Sequence, residues 1–288
     1  MVKSPSHEND VNSAGKRKPK LGQNFLIDHS AARRIVEALG DVSNRTVVEI
    51  GPGRGMLTDQ LVKRVRKVIG IELDHVLAAQ LRMRYATLQN VEILESDFVT
   101  VEWISMVGRR PGPLHDLRPT QAETVDVIGN LPYYVTTDIV LRILQEHQSI
   151  GRAVLMVQRE VADRIAAEPG SRDYGLLSAT AQLFARVENL FTLPPESFDP
   201  PPKVHSSVLR LTMEPRMAAL RIEAEPFVEM LKLAFAQKRK TLVNNLKGRY
   251  DDKAVRAALK AADVRGDVRA EALSLEKMAA VFRALRQA

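Results

Sequence analysis

Four strand ends in this chain of 288 residues carry side chains suited to holding a nucleotide and presenting a base. The first is Val47-Val48-Glu49-Ile50-Gly51-Pro52-Gly53-Arg54-Gly55, an apolar run that enters a glycine-rich turn. Gly51 and Gly53 let the backbone adopt positive φ and pass close to a ligand. Their spacing is GxGxG, not the GxGxxG of dinucleotide binders, which argues against a dehydrogenase. The second and third supply acids. Glu72 ends the next apolar run, about 20 residues on, where a carboxylate can accept both ribose hydroxyls. Asp97 ends the third, in Glu95-Ser96-Asp97-Phe98, placed to accept a hydrogen bond from an adenine amino group. The fourth strand end is Ile128-Gly129-Asn130-Leu131-Pro132-Tyr133-Tyr134. The Asn130 amide oxygen and the Leu131 carbonyl, aimed at one point, can grip an exocyclic amine while Tyr133 lies flat on the attached ring. Taken alone, that stretch also reads as a strand-to-loop turn in which Asn130 caps backbone groups. Glycine turn, Glu72, Asp97 and Asn130 in strand order form a far more specific set than any one of them.

These positions need a sheet whose strands all end at one edge. Short apolar strands at Thr46–Ile50, Lys67–Ile71, Val91–Leu94, Val125–Ile128 and Ala153–Val157 alternate with helical spacing at Leu57–Arg66, Val76–Leu88, Thr137–Gln145, Glu160–Ala167 and Leu176–Phe184. That rhythm predicts an α/β fold with a mostly parallel sheet covered on both faces. A helix over Ser30–Leu39 precedes it, and residues 104–124, rich in Gly, Pro and Arg, read as an insertion loop. Asn189–Leu193 and Ser207–Thr212 are expected as two edge strands around a proline-rich loop, Pro194 to Pro202. From Pro226 the chain reads as helical. Phe227, Met230, Leu231, Ala234 and Phe235 make one face, Leu242, Val243 and Leu246 continue it, and Gly248 ends it. Helices at Lys253–Ala262 and Leu275–Leu285 complete a small bundle. The expected organisation is a disordered basic tail over 1–20, a catalytic α/β domain over 21–215 and a small helical domain over 216–288, which the resemblance given below implies binds RNA.

Composition removes several classes. With no Cys there are no disulfides, no Cys-ligated zinc or iron–sulfur cluster and no thiol chemistry. Six scattered His without HExxH spacing make a metal site unexpected. No apolar run approaches the roughly 20 residues of a membrane span, and the first twenty residues lack the core of a signal peptide, so a cytoplasmic location is expected. Net charge is +7 and uneven: +3 over residues 1–20, −3 over 21–215 and +7 over 216–288. Basic ends around a slightly acidic body suit a polyanion gripped outside the reaction centre.

The set resembles the class I S-adenosylmethionine methyltransferases, with a Rossmann-like sheet and here a small all-helical C-terminal domain. More narrowly it is similar to the rRNA adenine N6-dimethyltransferases of the kasugamycin-resistance type. The matching segments run from LGQNFLID (Leu21–Asp28), VVEIGPGRGMLT (Val47–Thr58), IELD (Ile71–Asp74), SDF (Ser96–Phe98) and GNLPYY (Gly129–Tyr134) to VQREVADR (Val157–Arg164), FDPPPKVHSSVLRL (Phe198–Leu211) and FAQKRKTLVNNL (Phe235–Leu246). The resemblance implies S-adenosyl-L-methionine as cofactor, lined by Asn24, Leu26, Gly51, Gly53, Glu72, Asp97 and Asn130. It implies that Asn130 and the Leu131 carbonyl hold the target N6 while Tyr133 and Phe198 stack on its base. The implied reaction is N6 dimethylation of two adjacent adenosines in the 3′-terminal hairpin loop of 16S rRNA, within the immature small ribosomal subunit, by a monomer. The family usually carries Asn where this chain has Tyr134. Lys238, Arg239 and Lys240 are the leading phosphate contacts; on a helix three successive residues span about 300°, so they cannot all share one surface. The alternatives are a 23S rRNA adenine N6-methyltransferase of the resistance type, a DNA adenine methyltransferase with the same NxPY pocket, or a ribosome-assembly RNA-binding factor whose methylation is secondary.

Overall fold

The structure, a computed structural model, describes residues 24–103 and 124–287. The basic tail 1–20 and the insertion, apart from Thr124, lie outside the described residues.

Strands β1 (Phe25–Leu26), β2 (Thr46–Ile50), β3 (Lys67–Glu72) and β4 (Val91–Glu95) are separated by helices α1 (His29–Glu37), α2 (Thr58–Leu61) and α3 (His75–Arg84). There follow β5 (Val125–Asn130), α4 (Thr136–Gln145), β6 (Ile150–Gln158), α5 (Arg159–Ile165), α6 (Leu176–Phe184), β7 (Ala185–Leu193), β8 (Phe198–Asp199) and β9 (Ser206–Met213). The rest is helical: α7 (Met217–Leu220), α8 (Ala224–Ala234), α9 (Leu242–Leu246), α10 (Asp252–Ala261) and α11 (Leu275–Gln287).

Seven strands form one sheet in the order β4-β3-β2-β5-β6-β9-β7. The first five are parallel, and β9 and β7 join antiparallel. Its chemistry is that of a sheet buried on both faces, where successive side chains point to opposite layers. Val47, Val68, Ile128, Val154 and Val208 pack against α1 through Ala32, Ile35 and Val36. Val48, Ile69, Val127, Leu155 and Leu209 face the other way, onto α4 and α6 through Ile143, Leu144 and Leu183. The C-terminal helices extend this second layer, with Phe227, Leu231, Val243 and Phe282 in the same apolar cluster. Aspartates fix several helix starts. Asp28 accepts from Ser30 and Ala31 N–H, Asp74 from Val76 and Leu77, and Asp251 from Lys253 and Ala254.

Three local expectations change. The strand expected at Ser207–Thr212 is interior, because β9 lies between β6 and β7; of these two expected edge strands β7 alone is at an edge. Helix α2 is four residues long, where the spacing predicts ten. The continuous helical face from Phe227 to Leu246 is broken between α8 and α9. Asn245 Nδ2 donates to the Ala234 and Gln237 carbonyls at 2.6 and 3.1 Å, and Thr241 Oγ1 accepts from Asn244 N–H at 3.3 Å. One side chain thus takes the carbonyls at the end of α8 while another caps the start of α9.

Candidate active site

Strand order reverses between β2 and β5, so the crevice at their C-terminal ends is where an open α/β sheet binds ligands. The glycine turn opens it. Gly51 and Gly53 hold φ of 60° and 59°, the left-handed region that side chains with a Cβ avoid. At Gly53 a Cβ would also meet the Phe25 ring at 3.1 Å. Glu72, only 1% exposed, fastens this turn from β3. Its Oε2 accepts from Gly53 N–H at 2.9 Å and its Oε1 from Asp74 N–H at 3.0 Å. Each carboxylate oxygen has a second lone pair, so both can still accept a hydroxyl from the cleft Glu72 lines. Burial raises its pKa against these two N–H donors.

Across the crevice, Asp97 Oδ1 accepts from Val99 N–H at 2.8 Å, leaving Oδ2 for the cleft. Asn130 ends β5, and its Nδ2 donates to the Asn24 carbonyl at 2.9 Å. With the NH₂ end engaged, the amide presents Oδ1, an acceptor, to the cleft. Leu131 N–H is held by the Met156 carbonyl at 3.0 Å, which fixes the peptide beside Asn130. Tyr133 lines the same cleft, and its hydroxyl lies 2.8 Å from Ser206 Oγ on β9. Burial pushes that phenol above its ordinary pKa, so it is neutral at physiological pH. An acceptor oxygen, a fixed peptide and a held ring therefore converge beside a nucleotide-type cradle.

Asn24, Leu26, Gly51, Gly53, Glu72, Asp97, Asn130, Leu131 and Tyr133 all line this one cleft. Phe198 does not. Its ring is 2% exposed and packs in the α1-side core with Leu26 and Val208. Lys238, Arg239 and Lys240 are all exposed in the turn between α8 and α9, away from this cleft. Lys238 Nζ donates to the Arg172 carbonyl at 2.6 Å, in the loop between α5 and α6.

Three contributors had no signal in the residue pattern. Ser206 meets Tyr133 across 73 residues, and the Asn24 carbonyl meets Asn130 across 106. Arg54 pairs with Asp199 at 2.9 Å and lies 4.3 Å over the Phe25 ring. It joins the glycine turn to the small antiparallel sheet that β1 makes with β8. A fourth, Glu49, shows in the sequence only as an acid inside an apolar strand. It is buried beneath the turn, where Thr58 Oγ1 donates to Oε2 at 2.7 Å. Burial, assisted by the nearby Glu72 charge, pushes its pKa up to about 8. Among the described residues no group of His, Asp and Glu could hold a metal ion.

Residues 14–287 match the family model described as ribosomal RNA adenine dimethylase. Ribosomal RNA small subunit methyltransferase A of Koribacter versatilis is 59% identical over 283 residues, 98% of this chain and 99% of that one. Among solved structures, the 23S rRNA methyltransferase ErmE aligns with a TM-score of 0.67 at 29% identity, over 92% of this chain and 100% of that one. A dimethyladenosine transferase from Plasmodium falciparum shares the fold at a TM-score of 0.75 and 22% identity, covering 91% and 98% of the two chains.

Proposed function

The chain belongs to the ribosomal RNA adenine dimethylase family, and from that premise we propose that it dimethylates N6 of two adjacent adenosines in the 3′-terminal hairpin loop of 16S rRNA. It is an S-adenosylmethionine-dependent rRNA methyltransferase of class I fold. The cofactor, when bound, supplies an electrophilic methyl group on a sulfonium. The residues at the β2–β3 end suit such a nucleotide-like group: a buried carboxylate with spare lone pairs, and a turn that glycine alone lets approach. Glu72 would hold the ribose hydroxyls, Asp97 the adenine amine and Leu26 the apolar side of the ring.

The observation that carries the reading is the orientation of Asn130. Its Nδ2 is engaged by Asn24, so the group facing the cleft is an acceptor, suited to an amine and not to a carbonyl. An adenine N6 lone pair is delocalised into the ring and is a weak nucleophile. Asn130 Oδ1 and the Leu131 carbonyl, accepting its hydrogens, favour a pyramidal nitrogen and stabilise the positive charge that develops there. Tyr133 fixes the ring plane by stacking, and Ser206 fixes Tyr133. Alignment is then the chief contribution to rate, as expected of an in-line displacement. A base in structured RNA must leave its stack to enter this cleft.

The 59% identity to a protein named for the small subunit, against 29% to a 23S enzyme, supports the small-subunit substrate over the resistance-type alternative. The intact grip on an amine supports catalysis as the primary role over an assembly factor with incidental methylation. We assign the immature small subunit as the substrate particle, a monomer as the working form and the cytoplasm as its location. No helix among the described residues is long and apolar enough to cross a membrane. A competition assay tests the choice of RNA. With labelled S-adenosylmethionine and equal amounts of small- and large-subunit RNA particles, label is expected in the small-subunit RNA. Label confined to large-subunit RNA would overturn the reading.

A further inference from the structure

All fourteen aromatic side chains lie among the described residues, and thirteen are buried or half-buried. Many have a clear partner. Phe25 lies under Arg54, Phe191 under Arg34, Phe98 meets Trp103 edge-on, and Tyr133 is held by Ser206. Tyr134 is the exception: the residue is 65% exposed and its side chain has no ring, cation or hydrogen-bond partner among the described residues. It stands at the mouth of the cleft, one residue beyond Tyr133. Its backbone is pinned on both sides. Pro132 fixes φ before it, and the Pro132 carbonyl accepts from Val135 N–H at 3.3 Å and Thr136 Oγ1 at 3.1 Å after it. The ring therefore projects from a rigid turn with little more than its own χ angles free, which keeps the ordering cost of a contact low.

We propose that Tyr134 is a second base-binding subsite, stacking on the nucleotide next to the adenosine held by Asn130 and Tyr133. The proposal rests on that reading of the cleft. Drawing one base out of an RNA strand leaves its neighbour without a stacking partner, and an aromatic ring at the cleft mouth takes that partner's place. Every nucleobase has a π-face, so the subsite takes either purine or pyrimidine and works through ring area rather than through hydrogen bonds. Adjacent residues carry the two rings, so adjacent nucleotides are the ones they can serve together.

The test uses hairpin RNAs with 2-aminopurine or an abasic site directly 5′ or 3′ of the target adenosine. Wild-type protein should quench 2-aminopurine at one flank. Tyr134→Ala should abolish that quench and raise KM for RNA about tenfold, with kcat and S-adenosylmethionine affinity unchanged. Tyr134→Phe should behave as wild type. An abasic site at the responding flank should raise the wild-type KM to the level of Tyr134→Ala, and should add nothing in that variant. Wild-type values of KM and quench in Tyr134→Ala, or no rescue by Tyr134→Phe, would overturn the subsite alone. Binding that requires protein in the ribosomal particle, with none of these effects on naked hairpins, would assign the ring to a protein contact and overturn it too. Failure of the wild-type protein to methylate any adenine N6 would instead remove the reading of the cleft, and this proposal with it.

Discussion

Asn130 has two hydrogen-bonding ends, and the fold uses them differently. The Asn24 carbonyl takes Nδ2, and in the proposed role Oδ1 meets the substrate amine. Asn130→Ala should lower kcat by about 10²–10³ with both substrates saturating, the scale seen for groups that contact charge developing in a transition state. RNA affinity, set mainly by phosphate contacts, should barely move. A normal single-turnover rate in this variant would return Asn130 to a capping role. Glu72→Ala should weaken cofactor binding by about 2–4 kcal/mol in calorimetry, through the ribose contacts and the loosened Gly53 turn together. Unchanged affinity would remove Glu72 from the cofactor site. Glu49 makes a pH prediction. Its folded pKa is raised to about 8, so as pH climbs from the ordinary carboxylate range the unfolded chain gives up a proton that the folded protein keeps. Stability from this group therefore falls progressively up to about pH 8 and then levels off. Glu49→Gln has no such proton and should gain stability relative to wild type as pH rises, read from denaturant melts at acidic and mildly alkaline pH. Parallel pH curves for the two proteins would show that Glu49 titrates normally.

Apolar periodicity marks the strands where both layers of the sheet impose it. Val47/Val48, Ile69 and Val127/Ile128 alternate between the two cores, and the strand ends that deliver Glu72, Asp97 and Asn130 follow from that. What the pattern could not show are contacts between distant segments. β1 and β8 are two residues each and exist through their mutual pairing. Asn245 breaks the helical face by reaching back to Ala234, a choice invisible to apolar spacing. Tyr133 was legible as an aromatic beside Asn130, but not Ser206, whose Oγ comes from the antiparallel strand. The broken helix alters the basic patch, because Lys238, Arg239 and Lys240 sit exposed in a turn and are free of the 300° helical constraint. Replacing all three by Gln should weaken RNA binding and flatten its salt dependence by about one unit of slope for each phosphate no longer neutralised. The value of kcat at saturating RNA should hold. Lys238 should contribute least, since its ammonium already serves the Arg172 carbonyl. An unchanged salt slope would place the RNA grip elsewhere on the helical module.

The whole molecule couples a nucleotide crevice at the β2–β5 switch point to a C-terminal helical module of net charge +7 over residues 216–288. The two share one apolar cluster, in which Phe227 and Leu231 of α8 pack with residues of the sheet layer. The crevice and the basic helices are thereby held in fixed relation, as the proposed grip on a polyanion outside the reaction centre requires. In the proposed reaction this assembly dimethylates adenine at N6. Nucleoside mass spectrometry of small-subunit rRNA, after incubation with the protein and S-adenosylmethionine, tests it most directly. N6,N6-dimethyladenosine should accumulate with wild-type protein, at two adjacent positions, and should form at least about a hundredfold more slowly with Asn130→Ala. Methyl groups on any atom other than adenine N6, or N6 dimethylation that proceeds equally in Asn130→Ala, would contradict it.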